Sequence, residues 1–579
     1  MPQTKKVLER SGNGWDTPPP ALTLPGGRAV NPWLVLTSLM FGFFMSLLDA
    51  TIVNIALTNI QTSLKADLTT VSWVLSGYNL VFAVLLVTMG RFADQFGRKR
   101  LFMIGMVLFS LGSLLCAISP SIEWLIAFRA LQAIGAAALN PVSLAVITVV
   151  FPPAKRGAAI GVWGAMAGLA AALGPVLGGF LVESFDWRWI FFVNLPFCIV
   201  GLFMVWRFMP ESRDPHATRT IDLPGLLTLT MGMFCLVLAI IQGNDWGWTS
   251  VGTLALFGGS VVGLILFAVV ETRQAQPILD FSLFKIRSFM GANIVMFMFS
   301  VSIQGAFLIL VLYLINAQGY DQLGAAYALL PLPLSSFVVS AASGKMSGKI
   351  HPRILGIAGM VFVAIGLLSL YTLNTEAVYL DTAWRVTIIG IGMGLCFTTF
   401  PNVAISEVPR SKLGVASGAF NTFRQIGFAL GVAILISIFT GQVKDNVTLA
   451  RTAAIEMVKG DTKLPEELRS NILTGLQNSA TQTQASGERT NSMAAQFDLT
   501  TLADRIPGGE ALKPELASLN TRIATEFKKG VVDAFTLTWL IAGIIALFGI
   551  IPALFARSPH HSHAQVSQEQ VSGSPVVVD

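Results

Sequence analysis

The chain has 579 residues, of which 53% are hydrophobic and only 12% charged, about half the charged share of a soluble globular protein. Its formal net charge of +6 comes from bases dispersed among short loops, with no basic domain or stripe, which argues against a nucleic-acid partner. Apolar runs of about twenty residues, the length a helix needs to cross the hydrocarbon core, recur along most of the chain, so the lipid bilayer is its predicted solvent.

In chain order, residues 1–32 form a polar, Pro/Gly-rich tail without a cleavable signal, because the first apolar run is too long for one. Spans are predicted at 33–57, 71–91, 101–119, 123–149, 157–182, 189–209, 223–243, 251–271, 288–316, 323–344, 354–373, 384–405, 413–440 and 531–556. Alternate loops carry the bases. One side holds Lys5, Lys6 and Arg10, then Arg91, Arg98, Lys99 and Arg100, then Lys155 and Arg156, and so on through Arg219, Lys345, Lys349, Arg353 and Lys412 to Arg557. The short loops opposite hold only Lys65, Arg188 and Arg385. By the positive-inside rule both termini are expected in the cytoplasm, which needs an even number of spans and supports fourteen.

The segmentation that follows is a cytoplasmic tail (1–32), a six-helix bundle (33–209), a linker with two extra spans (210–271) and five further helices (272–440). An extracytoplasmic insertion (441–530), a last span (531–556) and a cytoplasmic tail (557–579) complete it. The insertion is long, polar and rich in Thr, Gln, Asn and Ser, with helices expected near 446–458, 464–478 and 511–529. A cap, a tether, a docking element for an envelope partner and a plain solvated loop all fit. An internal repeat relates RGAAIGVWGAMAGLAAALGPVLGG (156–179) to LGVASGAFNTFRQIGFALGVA (413–433), matching Gly157 to Gly414, Gly161 to Gly418 and Gly174 to Gly431. GRFADQFGRK (90–99) has a degraded echo in GKMSGKIHPR (344–353). Two six-span halves separated by an extra pair account for both matches, and repeated halves around a central site are a recurrent transporter architecture.

Asp49 stands well inside the first span, where a carboxylate is costly and is by default functional; bonding a neighbouring helix is the plainer role. Arg129 in the fourth span is its natural counterpart. Counted from the outer ends, both lie roughly 10–12 Å deep at ~1.5 Å per residue, which permits an ion pair. In the loop after the second span, Gly90, Arg91, Asp94, Gly97, Arg98 and Lys99 combine close backbone approach, a capping acid and a basic cluster. A conformational latch explains the acid and the glycines; positive-inside anchoring explains only the bases. Gly164 with Gly168, and Gly174 with Gly178, have small-xxx-small spacing, and Pro175 and Gly179 complete GPVLGG, suited to tight packing or to a hinge. Asn54, Gln132, Asn421 and Arg424 are candidate substrate or interhelix contacts. Cys116, Cys198, Cys235 and Cys396 lie in apolar runs without metal-ligand spacing and read as structural thiols. No Walker A sequence, dinucleotide fingerprint, HExxH or nucleophile elbow is present, so neither a cofactor nor enzymatic activity is expected.

These segments together resemble the major facilitator superfamily, in particular its fourteen-span drug:proton antiporters of the multidrug-efflux group. GRFADQFGRKR resembles the loop motif after span two, LDATIVNIAL the span-one motif, RALQAIGAAA the span-four motif and GPVLGG the antiporter motif of span five. Phe92 replaces a usual leucine, Ala133 a usual glycine, and Gly348 an acid in the second-half echo. The resemblance implies an all-α membrane fold of two six-helix bundles plus two extra central helices, in a bacterial cytoplasmic membrane. It further implies Asp49 and Arg129 in proton coupling, Asp94 and its flanking bases in switching, and Gly174, Pro175, Gly178 and Gly179 at the interface between halves. The expected activity is proton-driven, alternating-access efflux of amphipathic compounds, cationic ones included if unprotonated Asp49 attracts them. Rival readings are an exporter of one endogenous metabolite, lipid or antibiotic, and a non-transporting sensor or scaffold working through 441–530.

Overall fold

In the computed structural model, residues 23–24, 28–213, 222–274, 277–346, 349–374, 377–461, 464–466, 468–474 and 513–555 are described. Lys5, Lys6, Arg10, Arg219, Gly348 and Arg557 lie outside them, as does 475–512 of the insertion. Among the described residues, fourteen helices are long and apolar enough to cross a membrane. They are α1 (Pro32–Leu64), α2 (Leu68–Phe96), α3 (Arg98–Ala117), α4 (Ile122–Val150) and α5 (Pro153–Ser184). Next come α6 (Trp189–Phe208), α7 (Leu223–Trp246), α8 (Val251–Glu271), α9 (Arg287–Asn316) and α10 (Gly324–Met346). The last four are α11 (Pro352–Leu370), α12 (Tyr379–Ile405), α13 (Leu413–Gly460) and α14 (Lys513–Phe548). Every predicted span falls on one of them. The β structure among the described residues is one antiparallel pair, Thr23–Leu24 with Arg28–Ala29.

Helix starts follow local chemistry. Asn31 accepts the Trp33 amide ahead of α1, Asp67 the Thr70 amide ahead of α2, and Asp222 the Gly225 amide ahead of α7. Each cap satisfies a donor that the bilayer cannot.

The repeat read from the sequence becomes a symmetric contact between halves. The α5 glycines Gly157 and Gly161 lie against Gly344 of α10; their counterparts Gly414 and Gly418 on α13 lie against Gly90 and Leu86 of α2. The pairs α5–α10 and α2–α13 are the principal seams joining α1–α6 to the second half. Of the extra pair, α7 packs on the α2–α13 seam, where the Asn244 amide donates to the Ala433 carbonyl at 3.2 Å, and α8 packs on α7.

The boundaries expected at 440 and 531 are not breaks in secondary structure. α13 runs unbroken for 48 residues and α14 for 36, so the helices expected near 446–458 and 511–529 are continuations of membrane spans. Polar composition does not end a helix; only a breaker does, and α13 contains no proline. At ~1.5 Å per residue α13 is roughly 70 Å long, more than twice the hydrocarbon thickness of about 30 Å. Beyond the membrane the two extensions pack together with the helical stretch 468–474. They share a small apolar core of Ala454, Val458, Leu464, Leu468, Ile472, Leu516, Leu519 and Ile523. The Asn446 amide ties them by donating to the Gly530 carbonyl at 2.8 Å.

Candidate functional site

Asp49 is fully buried, and its two oxygens accept from three side chains on two helices. Arg129 of α4 pairs with Oδ2 through Nη1. Gln132, one turn on from Arg129, donates Nε2 to Oδ1 at 2.8 Å, and Asn194 of α6 donates Nδ2 to the same oxygen at 3.0 Å. Gln132 closes the triangle by accepting from Arg129 Nη1 at 2.7 Å. Arg129 also donates Nε to the Val74 carbonyl at 3.3 Å, and its guanidinium lies 4.0 Å from the centre of the Tyr78 ring. Burying two ions costs several kcal/mol each; Gln132 and Asn194 offset part of that at Asp49, whereas Arg129 Nη2 has no partner among the described residues. Depth counting thus led to the right partner. Asn194 and Tyr78 carried no charge and no motif, so no sequence signal singled them out.

At the end of α2, Asp94 is fully buried and accepts the Gly414 and Val415 amides, both at 3.1 Å, while pairing with Arg98 at 2.7 Å. A carboxylate on the first amides of α13 satisfies orphan donors and meets the positive end of the helix dipole. Gly90 makes the approach possible: a β-carbon there would fall on the Gly414 carbonyl. Gly97 turns the chain with φ +110°, and the Glu211 carboxylate accepts the Lys99 amide at 3.1 Å, while Arg91 is buried nearby. Within the second half, Lys412, just ahead of α13, pairs with Asp280, which precedes α9. Burial raises the Asp280 pKa, but hydrogen bonds from Lys412 and Ser282 outweigh it and leave the group below the usual carboxylate range.

The α5 glycines divide between two tasks. Gly164 faces the Phe397 backbone of α12 and Gly168 the Pro333 carbonyl of α10, both in the second half. Gly174 and Gly178 instead press on Thr51 and Ile52 of α1, within their own half. The GPVLGG glycines expected between halves therefore seat the helix that carries Asp49, two and three residues from it. Pro175 lies inside the continuous α5, and Gly179 is buried there.

Between the halves lies a cavity of about 470 Å³, walled by α1, α2, α5, α7, α9, α10, α12 and α13. Most of the wall is apolar, including Leu47, Phe82, Ile241, Phe397 and Phe428; its amides and hydroxyls include Ser46, Asn54, Asn79, Asn244, Gln304 and Gln425. Asp49 is not among the lining residues. Ser46, Ala50 and Asn54 face the cavity, and the 3.6-residue period turns Asp49 to the other side of α1. The expected pull of Asp49 on a cationic substrate therefore lacks a direct path here. Tyr78 joins the two regions: it lines the cavity and stacks on Arg129. Arg424 lines the cavity, as its candidacy required, whereas Asn421 is buried with its amide on the Ser417 carbonyl at 2.9 Å. The cysteines are free and buried, and no group of metal-ligating side chains occurs among the described residues.

Comparison with known proteins agrees with this architecture. Multidrug resistance protein Stp of Mycobacterium tuberculosis is 36% identical over 406 residues, covering 70% of this chain and 75% of that protein. The tetracenomycin C resistance and export protein of Streptomyces glaucescens is 31% identical, covering 73% and 79%. Multidrug resistance protein 3 of Bacillus subtilis is 33% identical, covering 71% and 81%. Among solved structures, the human organic anion transporter MFSD10 (TETRAN) shares the fold with a TM-score of 0.52 at 13% identity, over 70% of this chain and 94% of that one. The family model described as Major Facilitator Superfamily matches residues 39–432. The chain is a multi-pass membrane transporter, not an enzyme, and belongs to the Major Facilitator Superfamily.

Proposed function

We propose that this transporter is a proton-coupled exporter of amphipathic compounds, working by alternating access in a bacterial cytoplasmic membrane with both termini inside. The observation that carries the reading is the buried Asp49–Arg129 pair with Tyr78 between it and the cavity. Protonation of Asp49 removes the charge that holds Arg129; the guanidinium then shifts against Tyr78 and so against the cavity wall. Departure of the proton restores the pair. Substrate occupancy and proton occupancy thereby compete through one aromatic ring.

The seam at the α2–α13 end supplies the second state. Opening it breaks the bonds from two amides to Asp94. Hydrogen bonds to charged groups contribute about 1.5–3 kcal/mol each, and one proton moved through 100 mV supplies about 2.3 kcal/mol. The two bonds together come to about 3–6 kcal/mol, so two or three protons at that potential cover their loss. The largely apolar wall suits an amphipathic cargo, and the names of the Mycobacterium and Bacillus relatives, multidrug resistance proteins both, support a broad drug range. The Streptomyces relative, named for one compound, favours a narrower exporter as the second reading. On this reading the helical extensions 441–460 and 513–530 lie outside the cell.

The test is an imposed proton gradient across proteoliposomes loaded with a panel of amphipathic dyes. Uphill movement in the wild type, reduced at least tenfold in Asp49→Asn, is the expected result. Movement unchanged by the substitution removes Asp49 from coupling, and movement of a single panel member selects the narrow exporter.

A further inference from the structure

Arg424 is 4% exposed, yet no acceptor among the described residues bonds its guanidinium, and its enclosed Nε has no partner. The contact recorded for it is the Trp163 ring, 5.9 Å from the guanidinium carbon. Arg129 pairs with Asp49, Arg98 with Asp94, and Arg385 with the Asp381 and Ser369 carbonyls, while Arg91, also buried with an unpartnered Nε, lies outside the cavity. Among the described residues no Asp, Glu or Lys lines the cavity, and Arg424 is its one charged wall residue. Asp49 cannot serve, being committed to Arg129, Gln132 and Asn194.

A cation enclosed in a low-dielectric wall without a counter-ion is costly, and a ligand that brings the counter-ion relieves that cost. A guanidinium fork matches a carboxylate in shape and charge better than any other common partner. We infer that the cavity selects amphipathic substrates bearing an anionic oxygen group, a carboxylate or a similar acid, which pairs with Arg424 while the apolar body lies against Phe82, Phe397 and Phe428. The inference rests on the proposed export function and narrows its substrate class. It also reverses the charge preference expected from Asp49 alone.

The test is binding to the purified full-length chain at pH 7.5, read by quenching of tryptophan fluorescence, Trp163 being the ring beside the site. The probes are an amphipathic naphthalene carboxylate, its methyl ester and its dimethylaminoethyl amide, which carry negative, no and positive charge. The wild type is expected to bind the carboxylate at least about tenfold tighter than the ester, the equivalent of one charge-assisted bond. Arg424→Gln is expected to erase that preference while leaving ester affinity in place, and Arg424→Lys to keep only part of it. Ester or cationic amide bound as tightly as the acid by the wild type overturns the inference, as does a preference that survives in Arg424→Gln. Should the glutamine variant not fold, an undiminished preference in Arg424→Lys overturns it. Repeating the titration in chloride and in gluconate identifies the other source of charge: if chloride alone abolishes the acid's advantage, the site holds an inorganic anion and the substrate assignment is overturned. Binding requires no gradient. Acid selectivity without proton-driven movement removes the coupling reading alone, and proton-driven movement without acid selectivity removes this one alone.

Discussion

At the scale of single residues, the carboxylate cluster separates what charge advertises from what neutrality conceals. Asp49 and Arg129 are conspicuous in apolar runs, and Gln132 shares the Arg129 face by the one-turn rule. Asn194, in a run just before Pro196, has the look of a turn residue, yet its amide bonds both Asp49 and Ser113. Tyr78 is concealed for a different reason: an aromatic in a membrane helix is ordinary until its neighbour is known. Its ring, not its hydroxyl, is the part that matters, because the hydroxyl reaches the Ser46 carbonyl only at 3.4 Å. Tyr78→Phe should therefore retain proton-driven transport within about twofold, since a cation–π contact needs only the face. Tyr78→Leu removes an interaction of about 2 kcal/mol when desolvated, so transport should fall by roughly thirtyfold. Equal loss in both variants, measured in the same proteoliposomes, would assign the role to the hydroxyl instead.

Between elements, close packing is written in glycines, and the sequence repeat equates α5 with α13 without naming what either packs against. Gly157 matches Gly414 and Gly161 matches Gly418, so a partner found for one seam has its mirror in the other. What spacing alone could not tell was direction: Gly174 and Gly178 turn toward α1 and not across the interface. A glycine marks a close approach without naming what approaches. Gly90→Ala places a methyl on the Gly414 backbone, which cannot yield as a side-chain tip can. Overpacking of this kind costs about 1–3 kcal/mol, so the midpoint of thermal unfolding should fall, and the α2–α13 seam should become accessible to water-soluble thiol reagents at an introduced Ser417→Cys. Gly258→Ala on α8, where nothing lies within 4 Å, is the control and should leave both measurements unchanged or slightly raise stability.

For the molecule as a whole, the count of fourteen spans was legible because bilayer thickness fixes run length, but the limits of the last two helices were not. A polar stretch after an apolar one reads as a loop, although nothing in it forbids continued hydrogen bonding. The extra pair was also under-read. α7 supplies Val237, Ile240, Ile241 and Asn244 to the cavity wall, so this helix of the pair is part of the central chamber and not an appendage to it. The unbroken α13 has a mechanical consequence. From Arg424 to its end at Gly460 the helix spans roughly 54 Å at ~1.5 Å per residue, with the start of α14 bound alongside it. It acts as a pointer pivoting at the chamber: a tilt of ten degrees there sweeps its tip through roughly 9 Å by that length. Spin labels at Lys459 and at Lys65, in the first half, should therefore report distances that differ by several ångströms between acidic and alkaline conditions. A fixed distance would mean that α13 bends where it leaves the bilayer. If the pointer is stiff, the helical cap registers the state of a chamber that it never touches, and a molecule gripping that cap would hold the transporter in one phase of its cycle.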